Sequence, residues 1–85
     1  MYKVKDDEVQ EVLSSISHLI DELKNEYMLM WKITEFEPVV NIYPIADSGF
    51  IALFHDPEDE VLASAVYMEG CITYTAYGND RDFMH

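Results

Sequence analysis

The feature that most constrains the fold is the apolar periodicity of residues 7–26, which forms a stripe that ends at Tyr27. Apolar side chains recur there at steps of three and four residues, the period of one helix face; they are Val9, Val12, Leu13, Ile16, Leu19, Ile20, Leu23 and Tyr27. Asp7 is placed to cap the first turn, with Gln10 reaching back to it as in a capping box. The sequence therefore predicts an amphipathic helix over residues 7–26.

The segment that follows has no single period. Leu29, Trp31 and Ile33 alternate as strand residues do, whereas Tyr27 and Trp31 would also continue the helix. Because β-branched and aromatic residues prefer the pleated surface of a sheet, the favoured interpretation is a strand over residues 29–37.

Two alternating segments come after Pro38, which suits a turn or a sheet edge. Residues 39–45 and 50–55 are predicted strands, and Ala46-Asp47-Ser48-Gly49 between them consists of residues that tolerate tight turns. The pattern predicts a β-hairpin.

Residues 57–69 have two interpretations. Pro57 after an aspartate is a good helix start and Gly70 a good helix stop, which would make this segment helical. The favoured interpretation is a strand over residues 62–68, followed by a tight turn at Glu69-Gly70 and a final strand over residues 71–77. That strand ends at Gly78-Asn79-Asp80.

These elements predict an α+β fold. One N-terminal amphipathic helix packs across one face of an antiparallel sheet of about five strands. Eighty-five residues, 49% of them apolar, are enough to build one hydrophobic core, so we expect a single domain, residues 1–85.

Charge and cysteine content exclude several classes of protein. The net charge is −12, and an acidic surface is repelled by anionic lipid and by nucleic acid. No apolar run approaches the roughly 18 residues needed to span a bilayer. We therefore expect neither membrane binding nor direct nucleic-acid binding. The lone Cys71 forms no internal disulfide and no apolar segment follows Met1, so a cytoplasmic setting is predicted.

The densest group of polar side chains is HDPEDE, residues 55–60. It lacks the glycine and the ligand spacing of a calcium loop, and one short cluster supplies too few ligands for a transition metal. The sequence indicates a solvated acidic turn in which Asp56 caps its own backbone. No metal and no cofactor are predicted.

No catalytic motif is present. Cys71 and the serines lack a nucleophile elbow, and neither a phosphate-binding glycine loop nor an HExxH zinc motif occurs. Cys71 beside Gly70 is typical of a small buried apolar residue, and His18 near Asp21 and Glu22 of a surface ion pair. We therefore expect that the protein is not an enzyme.

The distribution of charge is the main functional clue. No Lys or Arg occurs between Ile33 and Asp80, a stretch with many acids. Charge this one-sided reflects drift, adaptation to high salt, or a basic partner. On the predicted strand, Glu35 and Glu37 project on the same face about 6.6 Å apart. That gap is comparable to the spacing of successive phosphates along one nucleic-acid strand.

Aromatic side chains accompany the acids. Tyr and Trp are typical anchors at protein interfaces, and we expect at least two tyrosines on the open face of the sheet. The predicted partner-binding residues are Glu35, Glu37, Asp56, Glu58, Asp59, Glu60, Trp31, Tyr67, Tyr74 and Tyr77.

In size, charge and helix-on-sheet build, the chain resembles the small DNA mimics of phages and mobile elements, such as uracil-DNA glycosylase inhibitors and several anti-CRISPR proteins. The resemblance includes no shared motif. It implies an acidic inhibitor that presents carboxylates where its target expects phosphates. The partner would be the basic nucleic-acid-binding cleft of a host protein, such as a defence nuclease or glycosylase, in the host cytoplasm.

An alternative function from another class also fits the sequence. The chain would then be a small adaptor or immunity-type protein that binds a protein partner, or forms a dimer, through its helix stripe or a free sheet edge. A structural protein adapted to high salt is a third interpretation.

Overall fold

The computed structural model of the protein describes residues 2–77. In this range the fold is α+β, with a four-stranded antiparallel sheet in the order β1-β2-β3-β4. The elements are α1 (Asp6–Ser15), α2 (Ser17–Trp31), β1 (Val39–Ile45), β2 (Gly49–His55), β3 (Val61–Met68) and β4 (Cys71–Ala76). The strand end predicted at residues 78–80 lies outside the described residues.

The predicted amphipathic helix is confirmed, but it bends at Ile16 between α1 and α2. The backbone there has φ −110° and ψ 16°, yet its amide still bonds the Val12 carbonyl at 3.1 Å. The Ser15 hydroxyl donates to the Glu11 carbonyl at 2.8 Å, a bond that often bends helices. Because Val12, Ile16 and Leu23 are all buried, the apolar stripe continues through the bend.

The helix begins at Asp6, so the prediction that Asp7 is its N-cap is wrong. Lys5 occupies the capping position with an extended backbone. The carboxylate of Glu8, three residues on, accepts the Lys5 amide at 3.3 Å. An acid in the first turn thus satisfies a free amide, as in half of a capping box.

The strand predicted over residues 29–37 is wrong, because α2 extends to Trp31. The helix ends where Lys32 takes a left-handed conformation with φ 54° and the Ile33 amide donates to the Met28 carbonyl at 3.0 Å, an arrangement typical of helix C-termini. The chain then reaches β1 without forming another strand, so the sheet of the described region has four strands and not five.

Both predicted hairpins are confirmed. β1 pairs with β2 and β3 with β4, while β2 and β3 join the two hairpins into one meander. Glu69 at φ 52° and Gly70 at φ 81° form the turn between β3 and β4, and two successive left-handed residues are what a two-residue hairpin turn of type I′ requires. The strand interpretation of residues 57–69 is therefore correct.

The strand register gives the sheet two unlike faces. One face meets the helices, and its core joins Val12, Ile16 and Leu23 to Phe50, Ala52, Phe54, Ala63 and Ala65. The opposite side, here called the open face, carries Asn41, Tyr43, Ile51, Leu53, Ser64, Val66, Thr73 and Thr75 by alternation. Neither α1 nor α2 covers it.

The open face bears the predicted exposed tyrosines. Tyr43 is 48% exposed and Tyr77 is 37% exposed, and the Tyr77 hydroxyl lies 2.9 Å from Ser64 Oγ on that side. The prediction of at least two exposed tyrosines is confirmed. Cys71 is also exposed, so its predicted burial is wrong. It lies at the start of an edge strand, where nothing in the described region packs over it.

A substitution at Gly49 tests the fit between β2 and β3. A Cβ atom there would overlap the Tyr67 carbonyl oxygen, a backbone atom that cannot move aside alone. We expect Gly49→Ala to lower the free energy of unfolding by about 3 kcal/mol. Gly70→Ala meets open space but strains a left-handed residue, which costs about 1 kcal/mol. Urea denaturation of both variants measures the difference, and equal losses would contradict the packing argument.

Tyr2 makes the stability of the fold sensitive to alkaline pH. Its amide donates to the Ala46 carbonyl at 2.7 Å and its hydroxyl to Glu8 Oε2 at 2.5 Å. The bond to Glu8, followed by burial, raises the pKa of Tyr2 from 10.0 to about 12. Between those two values the unfolded chain has released a proton that the folded chain retains, so stability falls as pH rises.

Tyr2→Phe and Glu8→Gln both test this linkage. The first removes the titrating phenol, and the second removes the carboxylate that holds its proton. We expect the urea midpoint of either variant to decline less steeply than that of the wild type between about pH 10 and 11. A wild-type slope in both variants would refute the assignment.

Candidate functional site

Five of the predicted acids lie at one end of the sheet, where β1 begins and β2 ends. Val39 pairs with His55, which places the segment just before β1 beside the loop of residues 56–60. The exposed acids there are Glu35, Glu37, Glu58, Asp59 and Glu60. Together with Trp31 they form what we call the acidic-aromatic end.

Tyr27 contacts several of the segments that form the acidic-aromatic end. Its ring stacks on Phe36 with centroids 3.9 Å apart and lies 6.1 Å from the ring of Trp31. Its hydroxyl donates to Asp56 Oδ2 at 3.4 Å. One side chain of α2 thus contacts the connection to β1 and the acidic loop. The sequence signalled Tyr27 only as the last residue of the apolar stripe.

Asp56 organises the acidic loop from inside it. Its Oδ1 atom accepts the amides of Glu58 and Glu60, both at 2.9 Å, and its carbonyl accepts the Asp59 amide at 3.0 Å. The prediction that Asp56 caps its own backbone is confirmed. Its predicted solvation is wrong, because the residue is only 2% exposed. Asp56 therefore positions the loop and is not available to a partner.

Large apolar side chains are exposed beside these acids. Leu29 is 80% exposed and Trp31 54% exposed at the C-terminal end of α2, and Met30 and Ile33 are exposed as well. An adjoining groove of about 560 Å³ is lined by Asn25, Met28, Leu29, Ile33 and Thr34. Clustered exposed apolar residues with a polar rim are typical of interaction sites. The sequence indicated Trp31 and not the other three, because only aromatic residues were expected as interface anchors.

The electrostatic potential at the acidic-aromatic end is negative. Lys24 Nζ lies 2.9 Å from Glu37 Oε1, and this hydrogen bond raises the pKa of Lys24, although burial opposes the shift. Lys32 is the other lysine of α2 and its cap. The charges of these two lysines are fewer than those of the five exposed carboxylates, so the end attracts cationic groups.

The remaining predicted tyrosines lie elsewhere. Tyr67 stacks on Phe50 on the helix side of the sheet, with centroids 5.1 Å apart, and Tyr74 is half-buried beside α2. Burial raises the pKa of both phenols. Tyr77 belongs to the open face. The structure therefore brings Trp31 to the acids and leaves Tyr67, Tyr74 and Tyr77 apart from them.

Substitutions at Asp56 test its role in holding the loop. Asp56→Ala leaves the amides of Glu58 and Glu60 without their acceptor in a buried position, and we expect a loss of about 2 to 3 kcal/mol in unfolding free energy. Asp56→Asn keeps one acceptor oxygen and costs less. Glu58→Gln, on an exposed side chain, changes stability by less than about 0.5 kcal/mol. Thermal unfolding orders the three variants, and a neutral Asp56→Ala would contradict the role.

The described region contains neither a membrane helix nor a metal site. Among residues 2–77, no helix has both the length and the apolar character needed to cross a bilayer. Over the same range, no three His, Cys, Asp or Glu side chains converge as a metal ion would require. Comparison with protein-family models, curated proteins and solved structures found no match.

Proposed function

We propose that this protein binds a basic surface of another protein through its acidic-aromatic end. The observation that carries the proposal is the exposure of Leu29 and Trp31 in the last turn of α2, at the end of the fold where five carboxylates are also exposed. Interfaces combine a few buried aromatic or apolar anchors with a charged rim. Both parts occur at this end, on the last turn of α2 and on the segments that Tyr27 contacts.

The two parts have different tasks in binding. The carboxylates of Glu35, Glu58 and Asp59 raise the association rate with a cationic surface and make that rate fall with salt. Trp31 and Leu29 lose water when the complex forms, which slows dissociation. Neither residue is needed for the core, because both project into solvent.

The narrower form of the proposal is inhibition by DNA mimicry. Its support is the net charge of −12 and the group of exposed acids at one end. The strand spacing expected for Glu35 and Glu37 no longer supports it, since both lie outside the four strands. The carboxylates that would occupy phosphate positions are instead those of an irregular connection and of the loop after Asp56.

The open face favours a second candidate function, self-association as a small adaptor. The four strands contain no Asp, Glu, Lys or Arg. Two copies of this acidic chain repel each other least when they meet through surfaces that carry no charged residues. Burial of Ile51, Leu53 and Val66 would stabilise such a dimer.

Capture experiments with matched variants test the first proposal. The immobilised protein is compared with three variants. Leu29→Ala/Trp31→Ala removes the apolar anchors, and Glu35→Gln/Glu58→Gln/Asp59→Asn removes three charges from the site. The control, Asp6→Asn/Glu11→Gln/Asp21→Asn, removes three charges from the helices instead. We expect the apolar pair to weaken a captured complex by roughly 30-fold. The site triple should slow association by about tenfold at low salt. The control should do neither.

Salt and DNA distinguish the candidates. When the salt concentration is raised from about 0.05 M to about 0.5 M at about 25 °C, binding through the acids becomes weaker. Dimerisation through the open face becomes stronger over the same range. DNA displaces a target from a mimic and leaves an adaptor bound. The proposal is refuted if every variant captures the same proteins equally, or if the only association is with itself and grows with salt.

A further inference from the structure

β4 offers an open edge to the solvent. Within residues 2–77 it pairs with β3 alone, and the Tyr77 amide donates to the Leu62 carbonyl at 2.8 Å. Hydrogen-bonded pairs alternate along an antiparallel ladder. The register therefore directs the amides and carbonyls of Ile72, Tyr74 and Ala76 away from β3. They form a row of donors and acceptors that another strand can use.

The other edge of the sheet is less suitable for pairing. β1 contains Pro44, which has no amide to donate, and edge prolines commonly block strand addition. β4 contains neither proline nor a charged residue. Its β-branched and aromatic residues prefer extended structure. β4 is thus the edge open to a further strand.

A groove runs between this edge and α2. It has a volume of about 180 Å³ and is lined by Leu19, Glu22, Leu23, Glu26, Tyr74 and Ala76. Pockets for drug-sized ligands are roughly 300 to 1,000 Å³, so this groove is of a size for the side chains of a bound segment and not for such a ligand. After burial, Glu26 and Glu22 are the next causes of the raised pKa of Tyr74. The electrostatic influence of both carboxylates therefore extends into the groove.

We propose that an extended segment of a partner protein adds to β4 as a fifth strand and places two basic side chains in this groove. Alternate side chains of a strand lie about 6.7 Å apart. Glu22 and Glu26, four residues apart on a helix, are separated by about 6 Å along its axis. Lys or Arg at alternate positions of the added strand therefore matches the two carboxylates.

A second copy of this chain fits the groove less well. No Lys or Arg occurs between Ile33 and Asp80, so its strands bring no cation to Glu22 and Glu26. It would instead add its own negative charge to a chain of net charge −12. Its alternating Lys3 and Lys5 lie in a segment that Tyr2 and Val4 pack against the core of their own chain. Charge complementarity therefore favours a basic segment of another protein. This surface is separate from the acidic-aromatic end and does not depend on the function proposed there.

Synthetic peptides test the strand addition directly. The probe is a terminally blocked, fluorescein-labelled heptapeptide, Thr-Lys-Thr-Lys-Thr-Lys-Thr, whose lysines share one face when extended. The matched control places its three lysines consecutively. We expect the alternating probe to bind more tightly by fluorescence anisotropy. Glu22→Gln/Glu26→Gln should weaken it about tenfold, whereas the control Glu11→Gln/Asp21→Asn, with equal net charge, should retain most of the affinity.

Backbone methylation separates strand pairing from charge attraction. Two versions of the probe carry N-methyl groups on the three lysines or on the threonines between them, without loss of charge. Only alternate amides of an added strand face β4, so one version should lose binding and the other keep it. In amide NMR spectra, the bound probe should shift the signals of Ile72, Tyr74 and Ala76.

Three results would overturn the inference. They are equal binding of the alternating and consecutive peptides, equal binding of the two methylated versions, and amide shifts confined to the acidic-aromatic end. Leu29→Ala/Trp31→Ala serves as a further control, because it weakens the function proposed above and should leave peptide binding at β4 unchanged. Failure of either proposal is therefore visible separately.

Discussion

The candidate site depends on the contacts of one side chain, Tyr27. Its ring packs on Phe36 and its hydroxyl reaches Asp56, which in turn holds the amides of the acidic loop. Without this link, the end of α2, the connection to β1 and the loop after β2 would be three separate surface segments. With it, their polar and apolar side chains have fixed relative positions, which lowers the entropy that a partner must remove on binding.

The fold separates charge from apolar surface in an unusual way. All four strands lack Asp, Glu, Lys and Arg, so the acids between residues 35 and 69 lie in turns and connections at the ends of the sheet. Apart from the buried Asp56 these acids are exposed and remain hydrated, which limits the cost of so much like charge. The strand surfaces can then stay uncharged on both sides. The open face and the edge at β4 follow from this separation, as does the acidic-aromatic end.

The sequence predicted the elements whose local pattern agrees with the contacts that they make in the fold. The stripe through Val12 and Leu23 required a helix, and the glycine after Glu69 allowed the tight turn between two alternating segments. It did not predict the segment after residue 28, because β propensity there is a local preference and the Tyr27–Phe36 stack is a contact across a chain reversal. The bend at Ile16 follows a serine hydroxyl that bonds the preceding helical turn, a local contact that no periodicity reveals.

The candidate site was predictable in composition but not in geometry. The acids of residues 35–37 and 58–60 were identified, yet their proximity depends on the pairing of Val39 with His55. A fixed period of two would have spread Trp31 and Glu35 along a strand; the left-handed Lys32 instead ends the helix and turns the chain. Leu29 and Trp31 are exposed in the last turn of that helix. The proposed function depends on this arrangement: charge would attract a partner and apolar contact would retain it at the same end of the fold, which neither a strand of acids nor a bare helix stripe would provide.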